Sequence, residues 1–123
     1  MVDSRKMIWI VDDDPGILEV TKIVVEDAGF LVKTFSSADA LFQALSTRIP
    51  HLILLDILLA GVNGVEVCKK LKLNQKFAHI PVIMMSADPK VAEKHTEAGA
   101  DDFINKPFDI AELEACVKKY TSV

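Results

Sequence analysis

Nothing in the 123 residues is long and apolar enough to span a membrane, and no signal-peptide pattern opens the chain. Asp3, Arg5 and Lys6 lead directly into a strand-like segment. A basic surplus is also missing. Fourteen Lys and Arg stand against eighteen Asp and Glu, a formal charge of -4, which argues against a nucleic-acid surface, since phosphate backbones demand clustered cations. Cysteine is scarce. Cys68 and Cys116 fall in helix-like stretches without metal-ligand spacing, so they read most simply as free, buried thiols of a cytoplasmic protein. No internal repeat, low-complexity tract or linker interrupts the chain, and residues 1–123 are expected to form a single domain. Half of the residues are hydrophobic, enough for a real core.

What is present is organised around Leu52-Ile53-Leu54-Leu55-Asp56, four branched apolar residues that stop on a carboxylate. A short continuous apolar run is the pattern of a strand buried on both faces. Beyond it lies Ile57 to Gly64, a loop with Gly61, Gly64 and an Asn63-Gly64 turn signal. Met7–Val11 is a similar run and ends on Asp12-Asp13-Asp14, with Asp14 as N-cap and Pro15 in the first turn of a helix. That helix carries Ile17, Leu18, Val20, Ile23, Val24, Val25 and Ala28, an apolar arc wider than one core stripe needs, and closes at Gly29.

Leu31–Phe35 is a second strand, and residues 37–45 a second helix with Ser37 as a candidate cap. Residues 65–73 form a third helix. Residues 80–85 form a fourth strand ending on Ser86-Ala87-Asp88, and Pro89 opens a short fourth helix that stops near Gly99. Asp102–Asn105 is a fifth strand that runs into Lys106-Pro107-Phe108. Asp109 caps a last helix with Ile110, Leu113, Val117 and Tyr120 at helical spacing. Five strand–helix alternations with apolar strands predict an α/β fold, a parallel sheet covered on both faces. Right-handed crossovers leave few topologies.

A parallel sheet brings the carboxyl ends of its strands to one edge, where ligands bind in open α/β folds. The residues that follow the inner strands are Asp12 and Asp13, Asp56, Ser86 and Lys106. Three carboxylates against one ammonium leave two negative charges in excess, which forces protonation unless a cation joins them. The donors are hard oxygens, so Mg²⁺ is the natural candidate, held by Asp13 directly and by Asp12 partly through water. A carboxylate beside such a cation can accept a phosphoryl group. Asp56 is then the acceptor, while Lys106 and the Ser86 hydroxyl are placed to meet phosphoryl oxygens.

In these pieces the sequence resembles the receiver domain of bacterial two-component response regulators, over essentially the whole chain. They are Val11-Asp12-Asp13, Leu54-Leu55-Asp56 with Gly61 and Gly64 beyond, Met85-Ser86-Ala87 and Lys106-Pro107-Phe108. The resemblance implies a flavodoxin-like (βα)5 fold with strand order 2-1-3-4-5. It makes Asp56 the phosphoacceptor, and gives Mg²⁺ the ligands Asp12, Asp13, Asp56 and the backbone carbonyl of Leu58. Ser86 and Phe103 would be a switch pair, the Lys106-Pro107 bond would be cis, and the first helix would dock the phosphodonor.

The implied partners are a sensor histidine kinase or histidine phosphotransfer protein, and a downstream effector or attached output domain. A phosphorylation-dependent homodimer is a further possibility; no direct nucleic-acid or membrane contact is expected. The output face would combine the fourth helix, fifth strand and fifth helix. The chain would be a switch and no true enzyme, with only weak self-phosphorylation and autodephosphorylation. Whether it is a single-domain regulator or part of a longer protein stays open.

Two departures from the family pattern, Ala60 where proline is common and Asn63 where aspartate is common, touch the loop and not the chemistry. Leu58 and Asp88 stand where the family tunes phosphoryl lifetime. Three rivals compete. A haloacid-dehalogenase phosphatase wants a second acid where Leu58 stands. A flavodoxin wants a Ser/Thr/Gly phosphate loop where three aspartates stand. A receiver-like module acting by contact alone would not need the acids, Ser86 and Lys106. His51, His79 and His95 are scattered and read as surface or loop residues.

Overall fold

Strand β1 (Met7–Val11) alternates its side chains between two apolar layers, and the fold grows from that division. A computed structural model describes residues 4–59, 62–88, 90 and 94–122, and at 94 and 95 the backbone alone. After β1 come α1 (Pro15–Asp27), β2 (Leu31–Phe35), α2 (Ala38–Leu45) and β3 (Leu52–Asp56). A two-residue ladder, β4 (Leu58–Leu59) with β5 (Val62–Asn63), precedes α3 (Gly64–Leu73). Then follow β6 (Val82–Ser86), α4 (Lys94–Ala98), β7 (Asp102–Asn105) and α5 (Ile110–Thr121).

The main sheet is parallel throughout, in the order β2-β1-β3-β6-β7. Counting only its own strands, this is the expected 2-1-3-4-5. Trp9 and Val11 point into one layer with Leu41, Leu45, Leu55, Cys68 and Leu71, beneath α2 and α3. Ile8 and Ile10 point into the other with Val24, Val25, Leu54, Leu113 and Val117, beneath α1 and α5. Every residue of β3 and β6 is buried, and each large apolar side chain so buried contributes about 1.5–3 kcal/mol against exposure. Trp9 lies 4.9 Å from Phe35, ring centre to ring centre, and its indole N–H meets no acceptor among the described residues.

Helix starts follow the expected caps. Asp14 Oδ1 accepts from the N–H groups of Gly16 and Ile17 at 2.9 and 3.2 Å. Asp109 Oδ1 accepts from Ala111 at 2.8 Å. Gly29 closes α1 with φ +102°, where a side chain would be strained. Ser37 lies outside its helix as the cap, with Oγ accepting from Ala40 N–H at 3.2 Å.

Three expectations are revised. Asn63-Gly64 is no turn: Asn63 Oδ1 accepts from Val65 N–H at 2.8 Å and caps α3, whose first residue is Gly64. The fourth sheet strand starts at Val82, since Pro81 has no N–H to offer the ladder. Cys116 is half-buried, while Cys68 is buried; both are free. Gly61 and Pro89 lie outside the described residues, so neither the loop glycine nor the start of the fourth helix is tested. Among the described residues no helix is long and apolar enough to cross a membrane.

Candidate functional site

Register decides which side chains meet. Val11 pairs with Leu55, Asp56 with Met85, and Ser86 with Asn105, so the residue after each apolar run emerges at one sheet edge. Asp12 is fully buried there, its N–H donating to the Phe35 carbonyl at 3.1 Å. Its Oδ1 accepts from Asp14 N–H at 3.0 Å, leaving Oδ2 to the Lys106 ammonium at 2.6 Å. Asp56 Oδ1 stands 3.4 Å from the same ammonium and accepts from Leu58 N–H at 3.4 Å. Asp13 is exposed. Carboxylate oxygens of Asp12, Asp13 and Asp56 all lie within 4.8 Å of one another.

Ser86 is buried at the end of β6. Its carbonyl accepts from Lys106 N–H at 2.9 Å, which fixes the lysine backbone. Its hydroxyl oxygen accepts from Asp88 N–H at 3.0 Å, and Asp88 Oδ1 in turn accepts from Lys90 N–H at 2.9 Å. Both side chains thus serve as acceptors in the following turn, and the Ser86 hydroxyl proton meets no acceptor among the described residues. The Lys106–Pro107 peptide bond is cis.

Burial pushes the Asp56 carboxyl up to about 6 from its ordinary 3.8. Lys106 opposes the shift, repulsion from Asp12 adds to it, the Leu58 N–H opposes it, and the hydrogen bond shared with Asp12 adds again. One ammonium does not balance three carboxylates in this space. An oxygen-only donor set with surplus negative charge fits a hard divalent cation such as Mg²⁺, which the side chains of Asp12, Asp13 and Asp56 could hold.

Other sequence candidates fall apart from this cluster. Phe103 sits half-buried on β7, in register with Met84 and packed against the α2–α3 layer. The Leu58 side chain faces solvent. In α1, Val25 is core and Leu18 packs on the α1–α5 layer. Ile17 instead lines a cavity of about 500 Å³ beside the site, with Val20, Ala87, Lys106, Pro107 and Phe108. Val20 and Ile23 are 53% and 49% exposed, so these two are the outward residues of the arc. Thr21, Val24 and Val25 define the buried side of α1.

His51 is exposed, its Nδ1 accepting from Met7 N–H at 3.0 Å; His79 is exposed, and the His95 side chain lies outside the described residues.

A second polar cluster escaped the sequence. The Tyr120 hydroxyl reaches the Asp101 carbonyl and Asp102 Oδ2, both at 3.0 Å, and Cys116 Sγ lies 3.6 Å from the same Asp102 oxygen. Burial raises the Asp102 carboxyl, but hydrogen bonds from the Phe103 N–H, Tyr120 and Cys116 outweigh it and hold the group below its ordinary value. Burial and the Asp102 charge push the Cys116 thiol up to about 12, and burial takes Cys68 to about 11. Neither thiol is a nucleophile at neutral pH.

The family model of the response regulator receiver domain matches residues 8–118. The DNA-binding dual master transcriptional regulator RpaA of Synechocystis sp. is 39% identical over 115 residues, 90% of this chain and 47% of that protein. The chain spans about half the length, or less, of the curated relatives it matches. A putative response regulator from Chloroflexus aurantiacus superposes with a TM-score of 0.92 at 29% identity, covering 98% of this chain and all of that one. The receiver domain of a signal transduction histidine kinase from Syntrophus aciditrophicus gives 0.88 at 33% identity, over 95% of this chain and 90% of that one. With the flavodoxin-like sheet and its strand-end acids, these matches agree on one conclusion: the chain belongs to the response regulator receiver domain family of two-component signalling.

Proposed function

We propose that this receiver domain takes a phosphoryl group onto Asp56 from a phosphohistidine and passes the change on as a switch. The observation that carries the reading is the cluster of Asp12, Asp13 and Asp56 oxygens within 4.8 Å of one another, with Lys106 Nζ at 2.6 and 3.4 Å from two of these acids. An ionised Asp56 oxygen forms a bond to phosphorus as the phosphorus–nitrogen bond breaks. The electron pair returns to the imidazole of the donor. Mg²⁺ held by Asp12, Asp13 and Asp56, with the Leu58 carbonyl as a further ligand, would neutralise phosphoryl charge and keep Asp56 ionised.

Lys106, already beside Asp56, pairs with a phosphoryl oxygen as charge builds. Ser86 donates its hydroxyl proton to another, giving up its hold on Asp88 N–H. Phe103 answers that movement, which shifts a pre-existing equilibrium on the α4–β7–α5 face. The donor, a histidine kinase or phosphotransfer protein, docks on α1 over Ile17 and Val20 and the adjoining cavity. Reversal by water is slow self-catalysis, so the domain is a switch more than an enzyme, and its setting is the cytoplasm, where ATP-fed donors are.

Residues 1–123 make one receiver domain on this reading. Relatives named as DNA-binding regulators support an attached output domain or a separate effector as its target, with any DNA contact made outside the receiver. A phosphorylation-dependent homodimer is a further form of output. Intact-protein mass spectrometry after incubation with acetyl phosphate, with and without Mg²⁺, tests the chemistry on wild type and Asp56→Asn. One added phosphoryl group that requires both Mg²⁺ and Asp56 is expected. No mass change in protein shown to bind Mg²⁺ would leave a module that acts by contact alone.

A further inference from the structure

Gly64 opens α3 and is buried. A Cβ placed there would press into the carbonyl oxygen of Asp56, well inside contact distance, and would lie 2.7 Å from Ile57 Cα and 2.8 Å from the Ile57 carbonyl oxygen. All three neighbours are main chain, so no side-chain rotation relieves the clash. Among the described glycines only Gly29 and Gly99 have positive φ. Gly64 is therefore required for space, not for a left-handed backbone.

The same residue closes a loop. Gly64 N–H donates to the Ile57 carbonyl at 2.6 Å. Between these two residues, Leu58 pairs with Asn63 and Leu59 with Val62. Neither side of the closure can retreat cheaply. α3 is anchored by buried Val67, Cys68 and Leu71, and β3 is paired on both edges to β1 and β6. An added methyl group must be absorbed by the main chain of residues 56–58.

We infer that Gly64 is a positioning residue: by letting α3 seat directly against the Asp56–Ile57 main chain, it aims the Asp56 carboxylate and the Leu58 carbonyl at the cation. The inference rests on the phosphoacceptor reading of Asp56. It adds a residue that touches neither cation nor phosphoryl group.

The test is Gly64→Ala, with Mg²⁺ affinity measured by calorimetry and phosphorylation by acetyl phosphate followed across a Mg²⁺ titration. Mg²⁺ binding should weaken about tenfold, as when groups that orient metal ligands are disturbed. Half-saturating Mg²⁺ for phosphorylation should rise by the same factor, with a smaller change in the rate at saturation. Val117→Ala, which opens a cavity beneath α5, controls for lost stability and should leave both Mg²⁺ numbers unchanged. Should Gly64→Ala not fold, Asn63→Ala frees the first turn of α3 and should weaken Mg²⁺ binding about threefold. A folded Gly64→Ala with wild-type Mg²⁺ affinity overturns the inference, as does an unchanged Asn63→Ala where the first variant cannot be measured. Wild type that binds Mg²⁺ but is never phosphorylated at Asp56 overturns the acceptor reading instead, and calorimetry separates the two failures.

Discussion

Asp56 is the residue whose ionisation costs the fold. Its carboxyl titrates at about 6 in the folded chain against an ordinary 3.8, so the protonated form is the one folding favours. That contribution is present at low pH and is lost as pH rises from about 4 through 6, the reverse of a salt-bridged aspartate. The shift corresponds to about 3 kcal/mol once Asp56 is fully ionised. In EDTA at pH 7.5, Asp56→Asn should therefore be more stable than wild type by up to about 3 kcal/mol, and the gap should close by pH 4.5. Mg²⁺ should stabilise wild type far more than the variant. Thermal melts at both pH values with and without Mg²⁺ check this, and a variant less stable than wild type in EDTA at pH 7.5 would refute it.

The five polar residues of the site were legible because each stands at or just beyond the end of a strand in an alternating chain. Their mutual distances were not. Lys106 prefers Asp12 to Asp56, 2.6 against 3.4 Å, through strand stagger that only the assembled sheet determines. The Asp102–Cys116–Tyr120 cluster was invisible because its members lie 14 and 18 positions apart on a strand and a helix.

Among the elements, α1 shows where hydrophobic pattern stops being informative. Seven apolar residues cover more than half its circumference, so pattern alone does not say which face is inward. The buried side includes a polar residue, Thr21, whose hydroxyl donates to the Ile17 carbonyl at 2.7 Å, while Val20 and Ile23 face out. Replacing both outward residues by serine should change stability by no more than about 0.5 kcal/mol each. Phosphorylation by acetyl phosphate should be unaffected, and transfer from a phosphohistidine protein should slow. Equal slowing with both donors would show that the face serves the site and not the docking. Caps at Asp14, Ser37 and Asp109 were readable because one side-chain oxygen at one position does the work. The β4–β5 ladder was not, since two residues are too few to show a period.

At the scale of the whole molecule, strand order was legible because alternation and right-handed crossovers leave little choice. Burial is graded across the sheet: β1, β3 and β6 are enclosed, whereas only Phe35 of β2 and Ile104 of β7 are buried. Native-state hydrogen exchange should be slowest at amides such as Ile10, Leu54 and Ile83, and faster in β2 at Lys33 and Thr34. Edge strands as protected as the centre would contradict that gradient.

The ion pair between Lys106 and Asp12 joins positions 94 residues apart, the first strand of the chain to the last. Contacts so distant in sequence form only after intervening loops have closed. The charge arrangement around Asp56 is therefore absent until β7 has joined the sheet beside β6. If Asp56 is the acceptor, a phosphodonor that meets the chain before then would find no competent site. On the proposed reading, the domain would carry a signal only once its sheet has closed from β1 to β7.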